Sequence, residues 1–355
     1  MKKRIENLRK VLGKGEAALI TEDTNRLYFT GFKSSAGIVL ITKNRAVLFI
    51  DFRYFEKAQK EVSHLEVRLA KRVYAEICEM LKNEAVTDIF IETNEVNLNE
   101  LKNLRKAFEG FNVSEESKIS DKISNMRSLK DDSELESIKK AQALTDEAFS
   151  YILDFIKPDA TEREIALKME FFMRERGSEG VAFDFIVVSG KNSSLPHGVP
   201  TDKKIEKGDF VTMDFGGVVN GYRSDMTRTV AVGNVTEKQR KIYETVMAAQ
   251  QASLDMIKPG VACFQVDKAA RDIISNAGYG EFFGHGLGHS VGLEIHESPA
   301  CNTRDKTPLK KGMIMTVEPG IYLPGEFGVR IEDMVVVTDN GYENLTKSPK
   351  ELVVL

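Results

Sequence analysis

Cysteine and long apolar runs are both scarce in this sequence. Its three cysteines, Cys78, Cys263 and Cys301, are far apart and odd in number. Such spacing argues against a disulfide framework or a CxxC zinc site and favours a reducing compartment, the cytoplasm. No run approaches the roughly 20 apolar residues of a membrane span. The start, MKKRIENLRKVLGKG, lacks the apolar stretch and the cleavage site of a secretory signal.

An excess of charge of either sign is missing too. Lysine and arginine number 50, aspartate and glutamate 54, and the formal net charge is -4. Because no basic block stands out, neither a nucleic acid nor a membrane surface is expected as a partner. What the chain does have is 355 residues with 42% hydrophobic content, enough for two domains with their own cores.

Several short catalytic motifs are also absent. The sequence contains neither an HExxH helix nor a GxSxG elbow. The GxGxxG and Walker spacings are not met around the histidine cluster, and SGKNSS at 189–194 lacks the upstream glycine of a phosphate loop. A function must therefore be sought in a more dispersed pattern of residues.

Two regions of different organisation follow one another along the chain. Residues 1–125 are predicted to form an α/β domain, in which apolar strands such as AALIT, AGIVLIT and RAVLFID alternate with helices. The helical stretches lie near 51–62, 73–83 and 98–108. The hydrophilic stretch 114–121 is predicted to be the linker to a second domain, residues 126–355. A cap at Asp132 or Ser133 is expected to open a long amphipathic helix there.

A pair of aspartates marks the first candidate site. Asn220 and Gly221 form the dipeptide that a two-residue type I′ hairpin loop prefers, and β-forming residues flank them. This loop would place Gly216 opposite Asp225 and Asp214 diagonal to Asp225 on the same face. Diagonal neighbours lie roughly 7–8 Å apart, close enough for both carboxylates to bind one or two cations.

A second hairpin repeats this design with glutamates. Glu318 and Glu332 lie on two β-rich runs, and a turn centred on Gly325 would place them opposite each other on one face. The two segments align without gaps at five positions in each, namely Lys207, Gly208, Thr212, Asp214 and Gly216 with Lys311, Gly312, Thr316, Glu318 and Gly320. Arg223, two before Asp225, likewise matches Arg330, two before Glu332.

The repetition extends upstream of both hairpins. Ile156-Lys157-Pro158 recurs as Ile257-Lys258-Pro259, each between two helix-like stretches, the second of which ends at Gly177 or Gly278. Residues 132–355 therefore read as two αβ half-domains, and a site between the halves would collect four carboxylates.

Histidines cluster in the same region. Of the five, His64 is expected to be an ordinary structural residue, whereas four fall in the repeated part: His197, His285, His289 and His296. Neutral imidazole together with carboxylates is the ligand set of Mn, Fe, Co or Zn hydrolytic centres. Two such ions, ~3.5–4 Å apart, would activate a bridging water as the hydroxide that attacks a carbonyl group.

Four ordered motifs resemble a known family. MDFGGVVNGYRSDMTRT, GHGLGHSVGLEIHE, TVEPGIY and GVRIED are similar to signatures of proline-specific metallopeptidases of the pita-bread fold, the Xaa-Pro aminopeptidases and the Xaa-Pro dipeptidases, or prolidases. The similarity spans about 126–355, and TNRLYFTGF at 24–32 resembles the creatinase-like α/β amino-terminal domain of the same family. The fold class implied is α/β (α+β), with a pita-bread domain of two repeated halves.

The resemblance also implies roles for individual residues. Five are implied as metal ligands, namely Asp214, Asp225, His289, Glu318 and Glu332. Asp225 and Glu332 would bridge two divalent ions, most typically Mn²⁺, with Co²⁺ or Zn²⁺ as alternatives, and Glu318 would also act on the proton of the attacking water. His197 would lie near the scissile amide and His296 would stabilise the tetrahedral intermediate. His285 and Arg330 would help to place the substrate.

The substrate implied is a peptide with proline at its second position, cleaved at the Xaa-Pro bond by a homodimer. Prolidases commonly carry arginine four residues after the histidine matching His296, where this chain has Ala300, with Arg304 further on. That departure favours an aminopeptidase, with a dipeptidase as the alternative if Arg304 serves from a shifted loop. Methionine aminopeptidase and creatinase rank lower. A non-catalytic interaction protein of the same fold is the alternative from a different class.

Overall fold

The computed structural model describes residues 1–355, which form two compact units, Met1–Arg127 and Ser128–Leu355. None of its helices combines the length and the apolar composition needed to cross a bilayer. All three cysteines are free thiols. Each unit has its own buried apolar core.

The first unit is a mixed sheet flanked by helices. Its helices are α1 (Lys2–Arg9), α2 (Asp23–Thr30), α3 (Phe52–Glu61), α4 (Val73–Asn83), α5 (Leu98–Ala107) and α6 (Lys118–Arg127). Its strands are β1 (Glu16–Ile20), β2 (Ile38–Ile41), β3 (Ala46–Ile50), β4 (Glu66–Leu69), β5 (Asp88–Ile91) and β6 (Asn112–Ser114). They lie in the order β4-β3-β2-β1-β5-β6. The β1–β2 and β2–β3 pairs are antiparallel and the others parallel.

Apolar runs form the central strands of this sheet because both of its faces are covered. Every residue of β2 is buried, and the β1 and β3 strands are buried from their second residue onward. The strands and helices predicted from the sequence of this unit are therefore confirmed. The predicted linker at 114–121 is wrong, because Ser114 ends β6 and Lys118 begins α6. The hydrophilic composition of this stretch belongs to the short exposed turn between β6 and α6 and to the first turn of that helix.

The second unit begins with one helix pair and one antiparallel hairpin. Its first half comprises α7 (Asp132–Ile152), α8 (Glu162–Glu175), β7 (Ile186–Ser189), β8 (Phe210–Phe215), β9 (Val218–Val219), β10 (Tyr222–Arg223) and β11 (Met226–Ala231). Asp131 caps α7, accepting hydrogen bonds from the backbone N–H groups of Ser133 and Glu134. The expected cap at Asp132 or Ser133 was therefore wrong by at least one residue, since three adjacent polar residues can each serve as a cap.

The second half repeats this order. It comprises α9 (Glu237–Met256), α10 (Cys263–Asn276), β12 (Gly288–Ser290), β13 (Glu297–Cys301), β14 (Ile314–Val317), β15 (Gly320–Leu323), β16 (Phe327–Arg330), β17 (Asp333–Val337) and β18 (Tyr342–Asn344). The β8–β11 hairpin of the first half corresponds to the β14–β17 hairpin of the second. The third strand of each sheet differs, since β7 pairs with the first hairpin strand and β18 with the second. One buried apolar cluster packs largely within each half. The internal repeat read from the sequence is thus present as two αβ halves.

Candidate metal centre and active site

The first hairpin adopts the register expected from its loop. Asn220 and Gly221 both have positive φ, 52° and 80°, as a type I′ turn requires. The strands pair Tyr222 with Val219 next to the turn, and Thr227 with Asp214 further along. Asp225 immediately precedes β11, so the two aspartates lie on one face of the hairpin.

The second hairpin also has the register expected from the sequence, with a longer turn between its strands. Gly320 pairs with Arg330 in β15 and β16, and Val317 pairs with Asp333 in β14 and β17. Glu318 and Glu332 occupy the facing positions between these two pairs. Gly325, at φ 73°, lies at the centre of the turn. Both pairs of acidic residues are therefore placed by antiparallel register.

Three of these carboxylates meet at one buried point. Ligand oxygens of Asp214, Asp225 and Glu332 lie within 4.8 Å of one another. Burial, followed by repulsion from neighbouring carboxylates, raises the pKa of Asp225 and of Glu332 well above its usual range. Oδ1 of Asp214 and Oε1 of Glu332 are buried without a hydrogen-bond partner. Buried anionic oxygens without donors fit divalent metal ions, which would supply the missing positive charge.

His289 and Glu318 complete the cluster. His289 Nε2 lies 3.4 Å from Glu318 Oε1 and 3.6 Å from Asp225 Oδ2. Its Nδ1 lies 3.1 Å from the carbonyl oxygen of Ser290, so Nδ1–H donates there and Nε2 faces the carboxylates. Burial works against charge on both groups, but their mutual contact lowers the pKa of Glu318 to about 2 and raises that of His289. Nitrogen and oxygen donors in this arrangement are the mixed set that Mn, Co and Zn accept.

Arg330 is the cation built into this site. Its Nη2 lies 2.6 Å from Asp214 Oδ2, and its Nε donates to Thr227 Oγ1 at 3.0 Å. Its Nη1 donates to the hydroxyl oxygen of Tyr322 at 2.8 Å. The buried guanidinium thus holds one oxygen of Asp214 and leaves the other free to face the cluster.

The repeat-related arginine has a different task. Arg223 Nε donates to the carbonyl oxygen of Leu293 at 3.1 Å, and its backbone N–H donates to that of Gly292 at 2.9 Å. Its Nη1 also donates to the carbonyl oxygen of Ala182. Arg223 therefore fastens the chain segment that precedes His296, whereas Arg330 touches the carboxylates. The two halves share a fold and have diverged in the chemistry of this position.

Two residues of the site were missed in the sequence. Tyr322 OH contacts His285 Nε2 at 3.0 Å as well as Arg330, and burial raises its pKa to about 12. Thr227 Oγ1 donates to Glu332 Oε2 at 2.7 Å. Tyr322 is four residues after Glu318, and Thr227 is two after Asp225. Same-face alternation along a strand is the signal that could have found both.

One cavity of about 660 Å³ connects all of the predicted site residues. It is lined by His197, Asp214, Asp225, His285, His289, His296, Glu318, Arg330 and Glu332, together with Tyr322 and Ala300. The rings of His289 and His296 are 4.4 Å apart. Burial and the adjacent His289 lower the pKa of His296, which favours a neutral ring. The structure therefore brings together every residue that the motifs singled out.

The loop that carries His197 is fastened at both ends by one buried carboxylate. Glu162, at the start of α8, accepts hydrogen bonds from the backbone N–H groups of Ser189 at 2.7 Å and Thr201 at 3.1 Å. The Asn192 side-chain amide donates to the same carboxylate at 3.1 Å. These contacts hold the His197 loop against the cavity, although His197 itself is exposed.

A second cavity of about 570 Å³ adjoins the first and shares His285, Gly286 and Asn302 with it. Arg271 and Arg304 also line this second cavity. The Arg271 guanidinium is engaged by Asp267 and by the carbonyl oxygens of Phe283 and His285.

The Arg304 guanidinium, in contrast, makes no hydrogen bond or ion pair within the chain and is exposed. Its backbone is fixed because Asn302 Oδ1 accepts hydrogen bonds from the N–H groups of Arg304 at 2.9 Å and Asp305 at 3.0 Å. The second cavity therefore offers one unsatisfied cation on an ordered turn.

Comparison with known proteins agrees with this architecture. Residues 136–339 match metallopeptidase family M24, and residues 4–129 match the creatinase/prolidase N-terminal domain. An Xaa-Pro dipeptidase of Pyrococcus furiosus is 42% identical over 356 aligned residues, which cover 99% of this chain and all of the relative.

Two solved structures extend the agreement to three dimensions. An Xaa-Pro dipeptidase from Bacillus anthracis shares 41% identity with a TM-score of 0.95, covering 99% of each chain. An X-Pro aminopeptidase from Thermotoga maritima shares 38% identity with a TM-score of 0.91, covering 99% of this chain and 100% of the other. These likenesses confirm the predicted fold, a creatinase-like N-terminal domain followed by a pita-bread domain. The chain belongs to metallopeptidase family M24.

Proposed function

We propose that this protein is an Xaa-Pro dipeptidase that works with two divalent metal ions, Mn²⁺ in the first instance. The observation that carries the proposal is the cluster of Asp214, Asp225 and Glu332, extended by His289 and Glu318 in one cavity. Uncompensated buried oxygens at this point need cations, and the cavity is open to a peptide.

The choice of dipeptidase reverses the preference drawn from Ala300. That preference rested on the absence of an arginine at one position, four residues after His296. The Pyrococcus and Bacillus relatives bear the name Xaa-Pro dipeptidase, and they match this chain over nearly its whole length. Their names support the alternative that the sequence had placed second.

The five ligand residues have separable tasks in this proposal. Asp225 and Glu332 would hold the ions together with Asp214, His289 and Glu318. Bound divalent ions lower the pKa of a coordinated water and stabilise negative charge on the attacked carbonyl oxygen. Glu318 is ionised, because contact with His289 lowers its pKa to about 2, and from its place in the cavity it would take the proton of the attacking water.

The histidines around the ligands would act on the substrate. His296, held neutral by burial and by His289, can donate one ring N–H to the carbonyl oxygen as negative charge develops there. His197 projects from the anchored loop at the cavity and would contact the scissile amide. His285, which is hydrogen-bonded to Tyr322, would form part of the cavity wall against which the substrate lies.

Arg304 would recognise the carboxylate of the dipeptide. It is a guanidinium without an internal partner, and it lines the cavity that adjoins the proposed catalytic one. A guanidinium binds a carboxylate through two parallel hydrogen bonds, which provides both affinity and direction. Recognition of a free carboxylate is what restricts cleavage to dipeptides.

Kinetics on matched substrates test this assignment. The Mn²⁺-loaded protein is expected to cleave an Xaa-Pro dipeptide in preference to an Xaa-Pro-Yaa tripeptide. Arg304→Ala should raise KM for the dipeptide by about tenfold to 10²-fold, the value of one charge-assisted pair, and leave cleavage of a C-terminally amidated tripeptide unchanged. Lys306→Ala removes an exposed positive charge from the same loop as a control. Equal dipeptide kinetics in wild type and Arg304→Ala would remove Arg304 from this role.

Xaa-Pro aminopeptidase is the second candidate function. Ala300 lines the catalytic cavity with a small side chain, which leaves room for a longer peptide, and the Thermotoga maritima relative bears the name X-Pro aminopeptidase. Preference for tripeptides in the same assay would favour it. A protein that takes up no Mn²⁺, Co²⁺ or Zn²⁺ and gains no activity from them would instead favour a non-catalytic role. The homodimer and the cytoplasmic location stay predictions.

A further inference from the structure

We propose that Lys130 is a positioning residue that holds β12, which carries His289, in register with β13, which His296 directly precedes, an inference that rests on the proposed function. Its ammonium lies 3.0 Å from Glu297 Oε2 and 3.2 Å from Ser290 Oγ. The Lys130 and Glu297 side chains are 1% and 5% exposed, and Ser290 is fully buried. A lysine 160 residues away in sequence thus bridges β12 and β13 inside the protein.

The bridge spans a defect in strand pairing. Pairing of β12 with β13 shifts between His289 and Ser290, so that Ala300 faces His289 but Glu297 faces Ser290. Such a bulge leaves residues unpaired and locally disrupts the ladder of backbone hydrogen bonds. Lys130 contacts both members of the pair that follows the shift, Ser290 and Glu297. It therefore ties the two strands together where the backbone hydrogen bonds of the ladder are disrupted.

Each contact lies next to a histidine of the site. Ser290 follows His289 and accepts the Nδ1–H of that ring through its carbonyl oxygen at 3.1 Å. Glu297 follows His296, whose ring is 4.4 Å from that of His289. One ammonium thereby sets the orientation of a proposed ligand and the distance of a proposed oxyanion donor.

The surrounding chain keeps both ends of the bridge in place. The Lys130 backbone N–H donates to the carbonyl oxygen of Gly312 at 2.9 Å, immediately before the Asp131 cap of α7. Around the other end, a Cβ on Gly292 would come within 2.5 Å of Glu297 Oε2. The segment before His296 is therefore wrapped around the Glu297 carboxylate and moves if that carboxylate moves.

A buried ion pair can be removed as a unit. Replacing one partner leaves an unpaired buried charge that destabilises the fold, whereas replacing both with apolar residues is often neutral for stability. The Lys130→Met/Glu297→Met double variant is expected to unfold at a temperature close to that of the wild type. Its kcat on an Xaa-Pro dipeptide should fall by about 10²-fold, as misplaced catalytic groups do, with KM little changed. The single variant Lys130→Arg keeps a positive charge opposite Glu297 and should therefore retain part of the kcat that the double variant loses.

A second readout does not depend on turnover. In ¹⁵N NMR spectra of the metal-free protein, the ring signals of His289 and His296 should both shift in the double variant. Ser290→Ala keeps the ion pair and should move mainly the His289 signal. Lys139→Met/Glu343→Met, which removes an exposed pair anchored on α7, is the control and should move neither.

Wild-type kcat and unshifted histidine signals in the double variant would overturn the positioning role. If the double variant does not fold, an unshifted His289 signal in Ser290→Ala overturns it. Absence of Xaa-Pro hydrolysis by the wild type would refute the proposed function instead, while the NMR comparison still decides whether Lys130 positions the histidines.

Discussion

At the residue scale, the chemistry of this protein is set by negative charge concentrated where water is excluded. Asp214, Asp225, Glu318 and Glu332 converge on a cavity whose built-in cation is Arg330, which is already paired with Asp214. Burial makes the ionised forms of Asp225 and Glu332 costly. The proposed divalent ions remove that cost and supply the reactivity.

His296 is proposed to act on the substrate, whereas the ligands hold the metal ions. Measuring metal content and kcat in the same variant distinguishes these two roles. We expect His296→Ala to keep its full metal content while kcat falls by ~10²-fold or more, the loss typical of an oxyanion donor. Metal content by mass spectrometry and turnover on an Xaa-Pro dipeptide would be compared with those of His64→Ala, a histidine bonded to a backbone carbonyl in the first unit. Loss of bound metal in His296→Ala would assign that residue to the ligands.

Residue type and spacing sufficed to predict the site's charged members but not its neutral partners. The four carboxylates stand out because a hairpin loop and an internal repeat put them on one face. Tyr322 and Thr227 share that face by alternation along the strand, but a tyrosine or a threonine in a strand is ordinary, so residue type did not single them out. The role of Lys130 could not be predicted from the sequence for a different reason. Its partners are distant in sequence, and only the fold brings them together.

At the element scale, antiparallel register does most of the positioning. The Asn220-Gly221 turn fixes which residues of β8 and β11 face each other, and the turn at Gly325 does the same for β14 and β17. Both registers were predictable because turn chemistry is local. The α7 cap and the supposed linker were not, because polar residues are equally at home in caps, in exposed helices and in loops.

Glu92 makes the stability of the first unit depend on pH. It follows β5 and accepts hydrogen bonds from the backbone N–H groups of Thr21 at 2.6 Å and Glu22 at 2.9 Å. Burial outweighs these bonds and raises its pKa from 4.5 to about 7. A carboxyl whose pKa is raised by folding favours the folded state while protonated. That contribution is complete below pH 4.5 and is lost as the pH rises through about 7.

We therefore expect the first unit to lose ~3 kcal/mol of unfolding free energy between these pH values. Pulse proteolysis of the full chain in increasing urea, followed through fragments of the first unit, measures this unfolding free energy at each pH. Glu92→Gln should flatten the pH dependence, whereas Glu100→Gln, which alters an exposed helix-capping carboxylate, should not. A wild-type profile that stays level or rises between pH 4.5 and 7 would contradict the assignment.

At the scale of the whole molecule, each αβ half of the second unit contributes one acidic pair, and neither pair alone makes the site. Bringing the pairs together stores repulsion in the folded protein, which metal binding relieves. Metal affinity and protonation are therefore linked properties of the assembled unit.

This linkage predicts that metal binding releases protons. Burial raises the pKa of Asp225 and Glu332, and contact with Glu318 raises that of His289 despite its burial. All three must be deprotonated as ligands, so metal affinity should increase with pH. Calorimetric titration with Mn²⁺ in buffers of different ionisation enthalpy measures the protons released. Heats that are the same in every buffer would mean that these three groups are already deprotonated in the metal-free protein.

The number and position of the bound ions test the central claim most directly. Anomalous diffraction from crystals of the Mn²⁺-loaded protein should show two peaks in the cavity, ~3.5–4 Å apart, with Asp225 and Glu332 between them. Asp225→Asn should lose that paired density, because an amide does not supply an anionic bridging oxygen, while Asp184→Asn, at the exposed rim of the same cavity, should keep it. A single peak in the wild type, no peak, or a pair retained in Asp225→Asn would contradict the account.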